Sequence, residues 1–342
     1  MKVALLGYPQ AGKKTFFTLL TGRRIPPGRK DTESIEGLAP VRDPRVDEIA
    51  RLVKPEKTKY AETVFVLCPD IQEGDSIRSW MEAARSCDLL CMVARAFKAE
   101  SVYHPKGSVD AARDRANLEA ELLLADLELA EKRLERIGKE KRSGQTPAQL
   151  LEEKTLAKCR QTIEGGTKLG ALSLDPHEIS AVRSLNLFAL KPVLWMYNVD
   201  EGDVREDGTN PFTVACKIEQ EIMSMEDADE RREYFASLGL TSSGLDRMNR
   251  AAYDALGLMS FYTMGKDEVR AWTIKKGTLA PAAAGKIHSD MERGFIRADV
   301  IKYDDLMTLG SESEVRAHGK ALLKGKDYVI EDGDICEIRF NI

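Results

Sequence analysis

The sequence predicts an α/β protein: a mostly parallel sheet with helices on both faces, interrupted by a helical hairpin and followed by a small α+β unit. Three observations carry this. Apolar runs that do not alternate with polar residues fit strands buried on both faces. A long stretch in the middle has apolar residues at helical spacing among charges of both signs. Beyond Phe261 short strand-like runs alternate with one helical stretch and glycine-marked loops.

Lys2–Leu6 is the first strand, ending at Gly7, and Lys13–Leu20 is a helix that stops before Thr21-Gly22. Residues 23–45, rich in Pro, Gly, Arg and Asp, read as one long loop, and long loops are often functional. Asp47–Val53 is a short amphipathic helix closed by Lys54-Pro55, Thr63–Leu67 a buried strand, Ser76–Ser86 a helix and Asp88–Ala94 another buried strand. Leu118, Leu122, Ala125, Leu129 and Leu134 then recur at helical spacing, and charge alternates in sign over Asp126–Arg142. Ser143-Gly144 and Pro147 break this helix, and a second begins near Ala148, so a hairpin with coiled-coil character is expected. The α/β pattern resumes at Val193–Tyr197 and Phe212–Ala215, which places the hairpin inside the first domain. In the last part Val269–Ile274, Phe295–Val300 and Cys336–Phe340 are strands, and Pro281–Arg293 is a helix. The expected domains are 1–110 with 185–260, the insertion 111–184, and 261–342.

Composition sets the class. With 342 residues, two or three domains of about 100–200 residues each are expected. The chain is 43% hydrophobic and 31% charged, with a net charge of −5, which argues against a surface coated in basic residues. No run of about 18 apolar residues occurs, so no membrane partner is expected, and the N-terminus lacks the pattern of a signal peptide. Cysteines 68, 87, 91, 159, 216 and 336 show no CxxC pairing and read as buried thiols in a reducing cytosol, which makes a cytoplasmic location the expectation. No DNA partner is expected.

The strongest motif is Gly7-Tyr-Pro-Gln-Ala-Gly12-Lys13, after a strand and at the start of a helix, the context of a phosphate-binding P-loop. Its glycines let backbone N–H groups converge on phosphate oxygens, the helix N-terminus adds its dipole, and Lys13 reaches the β- and γ-phosphates. The fold expected for residues 1–110 and 185–260 is therefore that of a P-loop NTPase. One position departs: the pattern wants Ser or Thr after the lysine to ligate Mg²⁺, and here Lys14 stands there. Thr15 comes one residue late, rotated by about 100° on the helix. A second motif, Asn198-Val-Asp-Glu201, follows the strand Val193–Tyr197 where GTPases carry Asn-Lys-x-Asp. Val199 replaces the lysine that packs along guanine, and Glu201 replaces the aspartate that pairs with it, so guanine selectivity is weakened. Ala215-Cys216-Lys217 stands where a Ser-Ala-Lys element touches the base.

On these residues the chain resembles the YchF/Obg-like ATPases, within the Obg-related GTPases. The resemblance covers nearly the whole chain: Gly7–Thr15, Asp43-Pro-Arg45, Val53-Lys-Pro-Glu56-Lys57, Leu124-Ala-Asp-Leu-Glu128, Lys132–Arg136, Lys191-Pro-Val193 and Asn198–Glu201. Its most specific part is C-terminal, where Glu268-Val-Arg-Ala-Trp-Thr-Ile274, Gly294-Phe-Ile-Arg-Ala298, Lys302-Tyr-Asp-Asp305 and Gly325-Lys-Asp-Tyr328 look like that family's TGS domain, a β-grasp fold. The resemblance implies a G domain with a coiled-coil insertion, ATP preferred over GTP, and a ribosome or ribosomal RNA as partner. It carries nucleotide-binding roles to Gln10, Ala11, Gly12, Lys13 and Thr15, and to Asn198, Val199 and Glu201. Gly7, Lys14, Cys216 and Lys217 complete the candidate nucleotide site.

The departures from the family cluster at one end of that site. The family has Ser at Lys14 and Asp-Ile-Ala-Gly where this chain has Leu67-Cys-Pro-Asp70. Leu67 takes the place of the acid that supports Mg²⁺, and Asp70 the place of the glycine whose N–H meets the γ-phosphate. A slip of three residues would make Asp70 the acid, with Gly74 then one position late. The family's switch-loop threonine aligns with Asp31, and Thr32 lies beside it. Thr15, Thr32 and Asp70 are thus the metal candidates, and a Mg²⁺ cofactor is doubtful. The expectation is ATP or GTP binding nearly independent of Mg²⁺, ADP binding at least as well as ATP, and very slow hydrolysis. Ile71 stands where many GTPases place a water-orienting Gln, but YchF-type enzymes are also hydrophobic there. Histidines 104, 177, 288 and 318 read as surface or capping residues, and the charged helix 126–142 as a solvated face. Lys275-Lys276 and the group Arg293, Arg297 and Lys302 are weaker candidates for RNA contact. Three functions compete: a slow adenine-nucleotide switch, a degenerate nucleotide-binding scaffold, and a ribosome- or RNA-binding module with a structural G domain.

Overall fold

The structure is a computed structural model, and it describes residues 1–28, 30–72, 78–140, 144–205 and 212–341. The first half of the chain runs β1 (Lys2–Leu6), α1 (Lys13–Thr21), β2 (Ile35–Val41), α2 (Pro44–Val53), β3 (Lys57–Lys59), β4 (Ala61–Leu67), α3 (Trp80–Arg85), β5 (Leu89–Arg95), α4 (Ala111–Glu140), α5 (Pro147–Glu164) and α6 (Pro176–Val182). Then come β6 (Val193–Asn198), β7 (Phe212–Val214), α7 (Cys216–Met223), α8 (Ala228–Ser237), α9 (Gly244–Ala255), β8 (Leu258–Met264), β9 (Glu268–Lys275), α10 (Ala280–Ile287), α11 (Ser289–Arg293), β10 (Phe295–Lys302), α12 (Tyr303–Leu309), α13 (Glu312–Ala317), β11 (Leu322–Lys324) and β12 (Asp334–Phe340). These form two compact units, residues 1–38 with 64–247, and residues 39–63 with 248–342.

The sheet of the first unit has the order β2-β4-β1-β5-β6-β7, and its β4-β1-β5-β6-β7 run is parallel. β1 is central, so its C-terminal end opens between two neighbours, where α/β sheets bind ligands. Both faces are covered. On one, Ala4, Leu6, Leu90 and Met92 pack with Trp80 of α3 and with Leu118 and Leu122 of α4. The alternate residues Val3 and Leu5 point the other way, and Phe16, Phe17 and Leu20 of α1 are buried. Each such side chain contributes about 1.5–3 kcal/mol by burial.

The predicted helical hairpin is present as α4 and α5, packed on each other through Ala130, Ile137, Leu156 and Cys159. Thr146 closes a reciprocal capping box with Gln149 at the start of α5. Asp126 departs from the solvated-face reading: it is buried, its Oδ2 accepts from Ala189 N at 2.8 Å, and it ion-pairs with Arg85 at 2.9 Å.

The second unit holds a mixed sheet ordered β11-β10-β12-β8-β9-β3. α10 packs on one part of its core with Phe261, Ile274 and Val300, while Val46 and Ile49 of α2 pack with Tyr262, Val269 and Ile301. Several expectations are corrected here. The stretch 23–45 is not one loop, because Ile35–Val41 forms a strand in which Gly37 and Ala39 are buried and their neighbours are exposed. Pro281–Arg293 is two helices, broken where His288 turns extended at φ −159° and caps α11 by accepting from Asp290 N. β8, α12 and α13 had no counterpart in the sequence reading. Lys302 is held internally by Asp334 at 2.7 Å, Glu331 at 2.8 Å and Tyr328 at 3.0 Å, which leaves little of it for RNA. His104 is buried rather than on the surface, with Nε2 2.9 Å from Asp114 Oδ2. Gly74 and the first residues of the Ser76–Ser86 helix lie outside the described residues. Among the described residues no helix is long and apolar enough to cross a membrane.

Candidate nucleotide-binding site

At the end of β1 the chain turns through Gly7–Gly12 into α1. Two close approaches explain the glycines: a Cβ on Gly7 would lie 2.2 Å from Val93 O, and one on Gly12 would lie 2.2 Å from Asn198 Nδ2. Gln10 is left-handed at φ 58°, a strained conformation of the kind found at functional loops. Gly12 caps α1 and, having no side chain, does not itself cover the N–H groups of the first turn, which suits an anion site.

Lys13 is buried, and its Nζ donates to Gly7 O at 2.8 Å and to the Asp70 carboxylate. Burial pushes its ammonium below the ordinary lysine value, against the pull of Asp70. Asp70 is brought there because the segment after β4 is tied to the loop: Cys68 N donates to Leu5 O at 3.3 Å and Ile71 N to Gly7 O at 3.1 Å. Lys14 Nζ lies 3.3 Å from Asp31 Oδ1. Leu67 is buried at the end of β4, and Asp31, Lys14 and Asp70 border a small recess beside it.

The other end of the site is built by β6 and α7. Asn198 closes β6 with both amide atoms used: Nδ2 donates to Ala11 O and Oδ1 accepts from Cys216 N, each at 3.1 Å. Val199 N donates to Val214 O at 3.0 Å, which holds the segment in line with β7. The result is one cleft of about 1110 Å³. It brings together Gln10, Gly12, Lys13, Lys14, Thr15, Asp31, Asp70, Asn198, Val199, Glu201, Cys216 and Lys217. Gly7 and Ala11 act on it through their backbone carbonyls. Thr32 is exposed and does not border the cleft.

A second wall was not anticipated. Phe97, Lys98, Ala99 and Val102 also line the cleft. The buried Arg95 organises their loop by donating to the carbonyls of Ala99 at 2.9 Å, Val102 at 3.0 Å and Tyr103 at 3.2 Å. Phe97 N and Ala96 N donate to Asn198 O at 2.9 and 2.8 Å, tying this wall to the Asn198 clamp. A charged residue closing the apolar run Leu89–Ala94 was the available signal. Ile71 is fully buried, while its neighbours Asp70 and Gln72 lie on the cleft wall.

The site has room for a nucleotide: the Gly7–Gly12 turn and the Asn198–Glu201 segment border one cleft and are joined by Asn198. It does not fit Mg²⁺. An ammonium stands at the hydroxyl-ligand position and an apolar side chain at the supporting-acid position. Among the described residues no group of three or more His, Cys, Asp or Glu side chains is placed to hold a metal.

A family model named YchF-GTPase_C, described as a protein of unknown function (DUF933), matches residues 258–341. The chain is 35% identical over 362 residues to a "Ribosome-binding ATPase YchF" of Escherichia coli O157:H7, covering 100% of this chain and 99% of that one. It is 33% identical over 366 residues to the protein of the same name in Bacillus subtilis strain 168, with 100% of both covered. Among solved structures it is similar to the Schizosaccharomyces pombe YchF GTPase, with a TM-score of 0.84, 30% identity, and coverage of 99% of this chain and 97% of that one.

Proposed function

The chain belongs to the YchF family, and on that premise we propose that it is a ribosome-associated, cytoplasmic purine-nucleotide-binding protein that takes ATP at least as well as GTP and hydrolyses it slowly. In this reading residues 1–110 and 185–260 are a P-loop G domain, 111–184 a coiled-coil insertion and 261–342 a TGS domain. The observation that carries it is the Asn198 side chain, which hydrogen-bonds the phosphate loop at Ala11 and the base-side helix at Cys216 together. Ribosome association rests on the names of the relatives, ribosome-binding ATPases.

When bound, Mg²⁺ would neutralise charge on a transferred phosphoryl group; Lys14 and Leu67 stand at the positions that ordinarily serve it. The chain's own residues supply Lys13 and the N–H groups of α1 to phosphate oxygens, and Lys14 as a further cation. Val199 and Glu201 face the base without the lysine and aspartate that select guanine. A second reading, a nucleotide-binding scaffold without turnover, is favoured by Lys14, Leu67 and Asp70 acting together. Equilibrium binding of ATP and GTP tests the base preference: ATP is expected to match or exceed GTP, and GTP tenfold tighter, about 1.4 kcal/mol, would overturn it. Steady-state hydrolysis separates the two readings, and ribosome co-sedimentation with and without nucleotide tests the partner.

A further inference from the structure

The ion pair between Lys13 and Asp70 bears on which phosphate chain the cleft accepts. The inference rests on the nucleotide-binding reading above. A lysine ammonium has three N–H donors. On Lys13 one goes to Gly7 O at 2.8 Å and one to Asp70, and the third has the Tyr8 carbonyl at 3.5 Å. A bound phosphate therefore finds one donor lightly engaged and the other two held by the protein. The Asp70 carboxylate is not a passing neighbour, since Cys68 and Ile71 on either side are stitched to β1 and Gly7 through backbone hydrogen bonds.

Charge balance points the same way. Among the described residues, the charged side chains that border the phosphate end are Lys13, Lys14, Asp31 and Asp70, two cations and two anions paired with each other. The pairs cancel, and the N–H groups of α1 are what remains for a β-phosphate. A third phosphate brings further negative charge against Asp70 and displaces it from a buried ammonium. We propose that Asp70 is a specificity-determining residue that stands in for a terminal phosphate, so that the cleft takes nucleoside diphosphates in preference to triphosphates.

The test is calorimetric titration of the full-length protein with ADP and with ATP, in EDTA and in Mg²⁺, for wild type, Asp70→Asn and Asp70→Gly. Wild type is expected to bind ADP at least tenfold more tightly than ATP in both buffers. Each variant is expected to cut that ratio at least threefold by tightening ATP rather than weakening ADP. A wild-type ratio below tenfold overturns the proposal, as does a ratio that neither folded variant lowers by threefold. If ADP binds without discrimination, Asp70 has another role and the nucleotide-binding reading stands. If neither nucleotide binds, that reading fails and this proposal fails with it.

Discussion

Asn198 spends both ends of its amide on joining two loops, and the buried Lys13 is held by a carboxylate and a carbonyl. Lys13→Ala is expected to weaken ADP binding by about 1.5–3 kcal/mol, the worth of a hydrogen bond to a charged group, with the circular dichroism spectrum unchanged; unaltered affinity in a folded variant would rule out an active phosphate loop. Lys14→Ser restores the hydroxyl of the ordinary pattern and removes the partner of Asp31. It is expected to restore part of the Mg²⁺ dependence of binding but little turnover, because Leu67 and Asp70 remain. Robust Mg²⁺-dependent turnover in the wild type would show that other ligands, Thr15 or a moved Asp70, are recruited. At this scale the places of the Gly7–Gly12 turn and of Asn198, each at the end of a strand, were legible, since both follow from local spacing. The pairing of Asp70 with Lys13 was not, because it depends on how β4 and β1 lie side by side.

At the scale of elements, the α4–α5 hairpin was readable because leucines at helical spacing and the break at Gly144 and Pro147 are local signals. β2 was hidden by its own Gly37 and Pro40 inside a Pro- and Gly-rich stretch, residues that a strand tolerates at a sheet edge. The break between α10 and α11 has neither Gly nor Pro, so nothing in the pattern marked it. Asp126 looked like one charge among many on α4, but Ala189 N and Arg85 need it. Burial pushes its carboxyl above the usual aspartate value, against the pull of Arg85. Asp126→Ala leaves Arg85 without that partner, and a loss of about 3–5 kcal/mol is expected in denaturant unfolding. A loss under about 1 kcal/mol, the range of exposed pairs, would show that the contact carries little. At the N-cap of α2, burial pushes the Asp43 carboxyl up, but hydrogen bonds from Arg45 and Tyr262 outweigh this and hold it below the usual value. Its stabilisation is therefore present above the unfolded value of about 3.9 and is lost as pH falls through the lower folded value. Asp43→Asn is expected to flatten the acid limb of the stability profile; an unchanged limb would contradict the assignment.

For the whole molecule, the division into units is not a simple cut along the chain. Residues 39–63 leave the first sheet's sequence neighbourhood and join residues 248–342, where Val46 and Ile49 of α2 fill the core against Tyr262, Val269 and Ile301. A fragment of residues 248–342 alone is expected to unfold at lower denaturant than one in which 39–63 is fused to it; equal midpoints would show that α2 is dispensable. Composition told of several domains but not of this exchange, which no local signal encodes. The same limit applies to the cleft, whose second wall comes from a loop set by Arg95 rather than by a motif. The proposed phosphate site has ammonium groups at Lys13 and Lys14, and it is expected to bind nucleotide without a metal. Calorimetric titration of ADP into the wild-type protein, once in Mg²⁺ and once in EDTA, tests it most directly. Dissociation constants within threefold of each other are predicted, and ADP binding more than tenfold tighter in Mg²⁺, about 1.4 kcal/mol, would contradict it.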